Sequence, residues 1–197
     1  MSKSEVASER KQQIVTATVE CITRHGYHNF SMQDVANTAG VSKGIIHYYF
    51  LNKDDLMMAV LEQVATNIEL VLQSCMTNHS DPEEQLRALV HILLDIARSS
   101  KEYYQVSMDF WTQINQKPEI HAVIAKHYQK FRETCIRVIQ SGIDKQIFAP
   151  IDPFEYSSYL IAIADGLSLQ WLFDPESFNN GIQKHVLEWA IEPLKKT

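Results

Sequence analysis

The segment spanning residues 31–53, SMQDVANTAGVSKGIIHYYFLNK, constrains the fold of this chain more than any other segment. Ser31 is followed three residues later by Asp34, and this spacing is typical of a capping box at the start of a helix. The pattern predicts a helix that begins at Met32. The valine and alanine residues that follow would give this helix a small apolar face.

A second helix is expected after a very short turn. Gly40 stands where the end of the first helix requires a left-handed backbone, and Val41 can pack inward. Ser42 can then cap a helix that begins at Lys43. Two helices joined in this way form a helix-turn-helix, in which the second helix lies in the DNA major groove with its N-terminal residues on base edges. The sequence therefore predicts a DNA-binding protein.

The wider segment 14–56 resembles the TetR family of bacterial transcriptional regulators. The matching residues are His25–Gly26–Tyr27, Phe30–Ser31–Met32, Val35–Ala36, Ala39–Gly40–Val41–Ser42–Lys43–Gly44, Tyr48–Tyr49–Phe50 and Lys53–Asp54–Asp55–Leu56. One departure is Leu51, where the family often has a basic or polar residue, so one possible phosphate contact is lost. The resemblance implies a homodimeric repressor that a small molecule releases from a palindromic operator in double-stranded DNA.

The family pattern places base contacts on the early turns of the second helix. The residues concerned are Lys43, Gly44, Ile45, His47 and Tyr48. Lys43 could donate to guanine, Gly44 would let the backbone approach closely, and Ile45 could meet a thymine methyl group. Ile46 and Phe50 are expected to face the core of the motif, whereas Ile45 could face either way.

A second group of residues is expected to hold phosphates and to fix orientation without reading sequence. It consists of Ser31, Ser42, Tyr49 and Lys53. The two serines offer hydroxyl groups at helix N-termini, where free N–H groups favour anions. Tyr49 and Lys53 match phosphate-contacting positions of the family.

Helix start and stop signals outside the motif predict an all-α fold of about nine helices. The further helices are expected at residues 8–25, 53–73, 82–99, 101–115, 118–142, 153–173 and 180–191. Asp81–Pro82 and Asp152–Pro153 each combine an N-cap residue with proline at the first helical position. We expect residues 1–53 to form a helix-turn-helix DNA-binding domain. Residues 54–197 would form a helical bundle for effector binding and dimerisation.

The eighth predicted helix bears on assembly, because it is apolar on more than one face. Tyr156, Tyr159, Leu160, Ile163 and Leu167 form one stripe, and Ile161, Leu169 and Leu172 lie off it. A helix of this kind must be covered on more than one side. The ninth helix lies next in the chain and could share an interface with a second copy, which predicts a homodimer. A monomer in which the eighth helix is central remains the alternative.

The family resemblance also implies a small-molecule effector, whose identity the sequence leaves open. Candidate pocket residues are aromatic, methionine and acidic side chains: Tyr104, Met108, Asp109, Trp111, Tyr128, Phe131, Asp165 and Trp171. Most of these aromatics are also expected to pack in the core. Asp109 beside Trp111 could hold a cation. The stretch Ala164–Asp165–Gly166–Leu167 is similar to the choline-sensing branch of the family.

The charge distribution suits a chain that touches DNA at one end. The net charge is −6. Residues 1–53 hold six Lys or Arg and four acids, or +2, which leaves −8 for the remainder. A mildly basic end on an acidic body is expected where only one end contacts phosphate.

Other functional classes lack supporting motifs. The eight histidines show no metal-ligand spacing, and the chain has neither a phosphate-cradling glycine loop nor a nucleophile elbow. We therefore expect no enzyme activity, no metal and no cofactor. Without a signal peptide or membrane span, the expected location is the cytoplasm, where the three cysteines would stay reduced. A helical protein-interaction module that keeps the motif without binding DNA is the alternative function.

Overall fold

The computed structural model describes residues 3–26, 28–99, 108, 110–174, 176 and 180–195. Within these ranges the elements are α1 (Lys3–His25), α2 (Met32–Ala39), α3 (Lys43–Tyr49), α4 (Lys53–Asn78), α5 (Pro82–Ser99), α6 (Pro118–Asp144), α7 (Pro153–Phe173), α8 (Asn180–Ile191) and a 3₁₀ turn (Glu192–Leu194). In this part of the chain, β-type pairing is limited to one isolated bridge between Phe148 and Lys195. The predicted all-α fold is confirmed.

Several helices extend further than their sequence signals predict. α1 begins at Lys3 rather than Ser8, and α6 ends at Asp144 rather than Gly142. α4 continues to Asn78 instead of ending near residue 73. The residues added to α1 and α4 include neither glycine nor proline, so nothing in their backbone favours an earlier helix end. α6 continues for two residues past Gly142. Of the predicted helix at 101–115, residues 101–107 and 109 lie outside the described residues.

The chain forms two compact units. The first, here called the head, comprises the described residues within 1–67 and 102–124. The second, here called the body, comprises those within 68–101 and 125–197. α4 and α6 each supply residues to both units.

The core of the head is built from apolar side chains of α1 to α4. Residues such as Ile14, Val35 and Leu56 are fully buried there. The same cluster includes Phe110 and Ile120, which come from a much later part of the chain. The head is therefore assembled from two separated segments of the sequence.

In the body, α5 packs against α7 and α8. The caps predicted at both aspartate–proline pairs are present. Asp81 Oδ1 accepts from the backbone N–H groups of Glu83 and Glu84, and Asp152 Oδ1 accepts from those of Phe154 and Glu155. These side chains satisfy N–H groups that have no partner within the helix.

Cys21, Cys75 and Cys135 are free and buried, as expected for reduced structural thiols. Burial raises the pKa of Cys135 to about 12. In the described part of the chain, no helix is both long and apolar enough to cross a membrane.

Candidate nucleic-acid interface

The start of α2 is fixed by the predicted capping box. The Asp34 N–H donates to Ser31 Oγ over 3.3 Å, while the Ser31 N–H donates to Asp34 Oδ2 over 2.8 Å. The Ser31 hydroxyl also donates to Asp34 Oδ2 over 2.7 Å. These hydrogen bonds from Ser31 hold the pKa of Asp34 below its ordinary value, and the bond from the Ser31 side chain has the larger effect. The carboxylate stays charged at neutral pH and favours the positive end of the helix dipole.

The turn between α2 and α3 has the geometry expected from its glycine. Gly40 adopts φ 65° and ψ 33°, and its N–H faces the carbonyl oxygens of Ala36 and Asn37. The Val41 N–H donates to the Ala36 oxygen over 3.0 Å. From α1, the Gln13 amide donates to the Ala39 oxygen over 2.7 Å. The turn is therefore held both locally and from another helix.

The faces of α3 divide as the sequence predicts. Ile46 and Phe50 have relative exposures of 0% and 1% and belong to the head core. Ser42 caps the helix by accepting from the Ile45 N–H over 3.3 Å. Lys43, Gly44, His47 and Tyr48 are exposed, and Ile45 is exposed at 38%. All five predicted base-contacting residues are therefore on the solvent side of one short helix.

Gly44 has no structural reason inside the head to be a glycine. An added Cβ would meet only Ser42 Oγ, at 3.8 Å, and the residue does not have a positive φ. A glycine within a helix costs up to about 1 kcal/mol relative to alanine. An added Cβ is therefore tolerated within the described residues, and the backbone at Gly44 stays open to solvent on the exposed face of α3.

The predicted phosphate-contacting residues differ in their exposure and in the contacts that their side chains already make. Ser42 is exposed, and Tyr49 is half-buried with its ring edge-on to that of Tyr48, 5.0 Å between centroids. The Ser31 hydroxyl is engaged by Asp34, whose carboxylate would repel a phosphate. Lys53 Nζ donates to the Phe30 oxygen over 2.9 Å and lies 3.8 Å from the centroid of the Phe30 ring.

These contacts make Lys53 a structural residue as well as a candidate phosphate ligand. Burial lowers the pKa of its ammonium group. Leu51, the departure from the family pattern, is 84% exposed, and its N–H donates to Asp55 Oδ2 over 2.9 Å.

The predicted effector residues are distributed over both units. Met108 and Trp111 are half-buried and belong to the head by their position in the chain. Phe131 is buried in the body, where Tyr128, Asp165 and Trp171 are half-buried. Tyr104 and Asp109 lie outside the described residues.

One pair within this set makes direct contact. The Tyr128 hydroxyl donates to Asp165 Oδ2 over 3.0 Å. Burial raises the pKa of the Asp165 carboxyl, and the bond from Tyr128 opposes this shift. Among the described residues no cation is paired with this carboxylate, and a partly buried carboxylate in that state is costly.

Sequence reasoning missed how the head is completed. It did not assign Phe110 or Ile120 to the head, whereas both are buried in the head core. Lys117 Nζ also pairs with Asp54 Oδ1 over 2.6 Å. Apolar spacing within a helix shows which face is buried but not which neighbour buries it.

Two helices, a left-handed turn and an exposed second helix define a helix-turn-helix DNA-binding regulator. Residues 14–60 match the family model described as bacterial regulatory proteins, tetR family. Residues 82–194 match the model described as BetI-type transcriptional repressor, C-terminal. The chain belongs to the TetR family and has a BetI-type C-terminal region.

Individual relatives support the same assignment. The regulator BetI of Proteus mirabilis is 31% identical over 196 residues, which cover 98% of this chain and 94% of that protein. The match to BetI of Pectobacterium atrosepticum is also 31% identical but covers 57% of this chain and 58% of that relative. A transcriptional regulator from Saccharomonospora viridis, solved in complex with choline, superposes with a TM-score of 0.86 at 25% identity and covers 96% of this chain and 100% of its own.

These matches confirm the predicted TetR family and the class of ligand-responsive DNA-binding transcriptional regulators, and the choline complex of the Saccharomonospora viridis relative fits the choline-sensing branch of that family. The relatives are regulators rather than enzymes. Among the described residues, no group of three or more His, Cys, Asp or Glu side chains is arranged to hold a metal ion.

Proposed function

We propose that the protein is a homodimeric repressor that binds a palindromic operator through α3 and leaves it when a small organic cation binds. The observation that carries the DNA-binding part is the exposed face of α3, on which Gly44 leaves the backbone open to close approach by a second molecule. Residues 1–53 would read the operator, and residues 54–197 would bind the effector and the second subunit. The protein would act in the cytoplasm, where its operator lies.

Exposed apolar side chains on the last two helices support the dimer. Phe154, Tyr159 and Phe173 of α7 are 59%, 52% and 75% exposed, and Trp189 of α8 is 59% exposed. Large aromatics at this exposure are typical of protein interfaces rather than of a monomer surface. Two copies joined here would present two reading helices, which a palindromic operator requires.

The choice of a cationic effector rests on Asp165. Its carboxyl is partly buried beside the Tyr128 hydroxyl, and a cation would stabilise it in the charged form. The Saccharomonospora viridis relative binds choline, a quaternary ammonium compound. We infer that this chain binds a molecule of the same class. Aromatic rings beside a carboxylate are the usual environment for such cations.

Release would follow from a shift between two conformations of the dimer. A ligand that binds one conformation better changes operator affinity by its coupling free energy, typically about 1–3 kcal/mol, or 5–150-fold. α4 and α6 supply residues to both units, so either helix can carry the change.

The division of roles on α3 can be tested with a duplex selected from a random library by the wild-type protein. We expect Lys43→Ala and His47→Ala to relax base preference at defined positions by about 1–3 kcal/mol each. Lys53→Gln is expected to weaken binding to every sequence and to flatten the salt dependence by about one unit. Lys184→Ala, an exposed cation on α8, serves as the control.

Fluorescence anisotropy of the labelled duplex measures these effects and the release by choline. Thermal melting must accompany Lys53→Gln, because this side chain also bonds to the Phe30 oxygen. Equal losses across all operator variants for Lys43, His47 and Lys53 would contradict the assigned roles.

A further inference from the structure

A cavity lies in the body, and its lining is separate from the described residues assigned to the effector. It has a volume of about 690 Å³ and runs between the second half of α4, the start of α5 and the middle of α6. Ligand sites of small molecules have volumes of this order. Its lining includes none of Met108, Trp111, Tyr128, Phe131 or Asp165.

The floor of this cavity is apolar and its walls are held in place. Leu72 and Val138 are 5% and 2% exposed, and both line the cavity. From α5, the Gln85 amide donates to the oxygens of Met76 and His79 over 3.4 and 2.8 Å. These bonds tie the end of α4 to α5, so the cavity is formed before any ligand arrives.

Two opposite charges at the rim are already paired. Lys130 of α6 donates to a carboxylate oxygen of Glu69 on α4, and this bond holds the pKa of Glu69 below its ordinary value. Both residues line the cavity, and the pair adds no net charge to it.

The other two charges at the rim have no ionic partner among the described residues. Glu133 accepts from the Gln129 amide over 3.3 Å, and Arg137 donates to the Thr134 hydroxyl over 3.1 Å. They are four residues apart on α6, a spacing at which Glu and Arg often pair, but they do not pair here. A carboxylate and a guanidinium that are not ion-paired therefore lie one helical turn apart in the lining, which also includes the apolar Leu72 and Val138.

We propose that this cavity binds a small zwitterion with an apolar side chain, of the amino-acid type. Its carboxylate would bind the Arg137 guanidinium, whose planar donors suit a carboxylate. Its ammonium group would bind Glu133, and its side chain would cover Leu72 and Val138. A ligand with one charge would leave the other rim group unpaired, so a zwitterion is favoured over a simple acid or amine.

Three isosteric probes test this charge requirement. L-Leucine carries both charges, 4-methylpentanoate lacks the ammonium group and 3-methylbutylamine lacks the carboxylate. Titration of the ¹⁵N-labelled full chain is expected to give saturable shifts with leucine at residues 69–77 and 130–138. Each singly charged analogue is expected to bind about fivefold more weakly, the upper range for one exposed ion pair.

Matched variants complete the test. Arg137→Gln and Glu133→Gln should each weaken leucine binding about fivefold, whereas Lys184→Gln should leave it unchanged. The leucine titration should be the same with and without saturating choline, which separates this cavity from the effector site. Absence of saturable shifts, equal binding of 4-methylpentanoate, unchanged binding by the variants or competition with choline would each overturn the proposal. None of these readouts depends on DNA binding.

Discussion

The Phe148 ring lies against the backbone of Gly142, so close that a Cβ atom on residue 142 would come within 2.0 Å of Phe148 Cδ2. The Phe148 N–H also donates to the Gly142 oxygen over 3.0 Å. The ring is 1% exposed. Phe148 therefore covers the end of α6 only because residue 142 has no side chain.

We predict that Gly142→Ala destabilises the protein by about 3 kcal/mol, because the added Cβ would overlap the buried Phe148 ring and force the ring or the backbone to shift. Gly166→Ala is the matched control, since a Cβ there meets nothing within 4 Å. That change should be neutral or stabilising by up to about 1 kcal/mol. Urea unfolding at equal protein concentration measures both. Equal stability of the two variants would show that Phe148 does not pack as described.

A second prediction concerns the composite core of the head. Ile120 is 1% exposed there, although it lies far beyond the helix-turn-helix in sequence. Ile120→Ala should cost about 2–5 kcal/mol and should lower operator binding through loss of folded head. His121→Ala, an exposed neighbour on α6, is the control. A change below about 0.5 kcal/mol for Ile120→Ala, the range of ordinary surface substitutions, would contradict this core.

A third prediction uses the titration of Asp165. Its pKa is raised in the folded protein by burial, so between the ordinary value of 3.8 and the raised value the folded state binds more protons than the unfolded state. Stability should therefore fall as pH rises through this window. Asp165→Asn should remove this slope, be at least as stable as wild type at neutral pH, and lose choline binding.

The control for Asp165→Asn is Asp144→Asn, an exposed carboxylate at the end of α6. Calorimetric titration with choline and unfolding curves at several pH values provide the measurements. If Asp165→Asn bound choline as well as wild type, the carboxylate would not be the cation site.

Sequence patterns were sufficient for the elements that depend on near neighbours in the chain. The capping box of Ser31 and Asp34, the left-handed Gly40 and the burial of Ile46 all follow from spacing over a few residues, and all are present. The sequence did not predict that a distant segment completes the head core, because Phe110 and Ile120 have the same local pattern as any other core residue. The cavity between α4 and α6 also depends on pairing between distant helices, such as Glu69 with Lys130.

We expect the exposed face of α3 to fit closely against DNA, and the Gly44→Ala variant is the sharpest test of that fit. An alanine Cβ meets only Ser42 Oγ, at 3.8 Å, so the variant should fold with unchanged or slightly higher stability. Its affinity for the selected operator, measured by anisotropy beside the unfolding curve, should be about 5-fold to 150-fold weaker, as expected for losing about 1–3 kcal/mol at the groove. Operator binding equal to that of wild type, in a variant that is equally folded, would contradict the account.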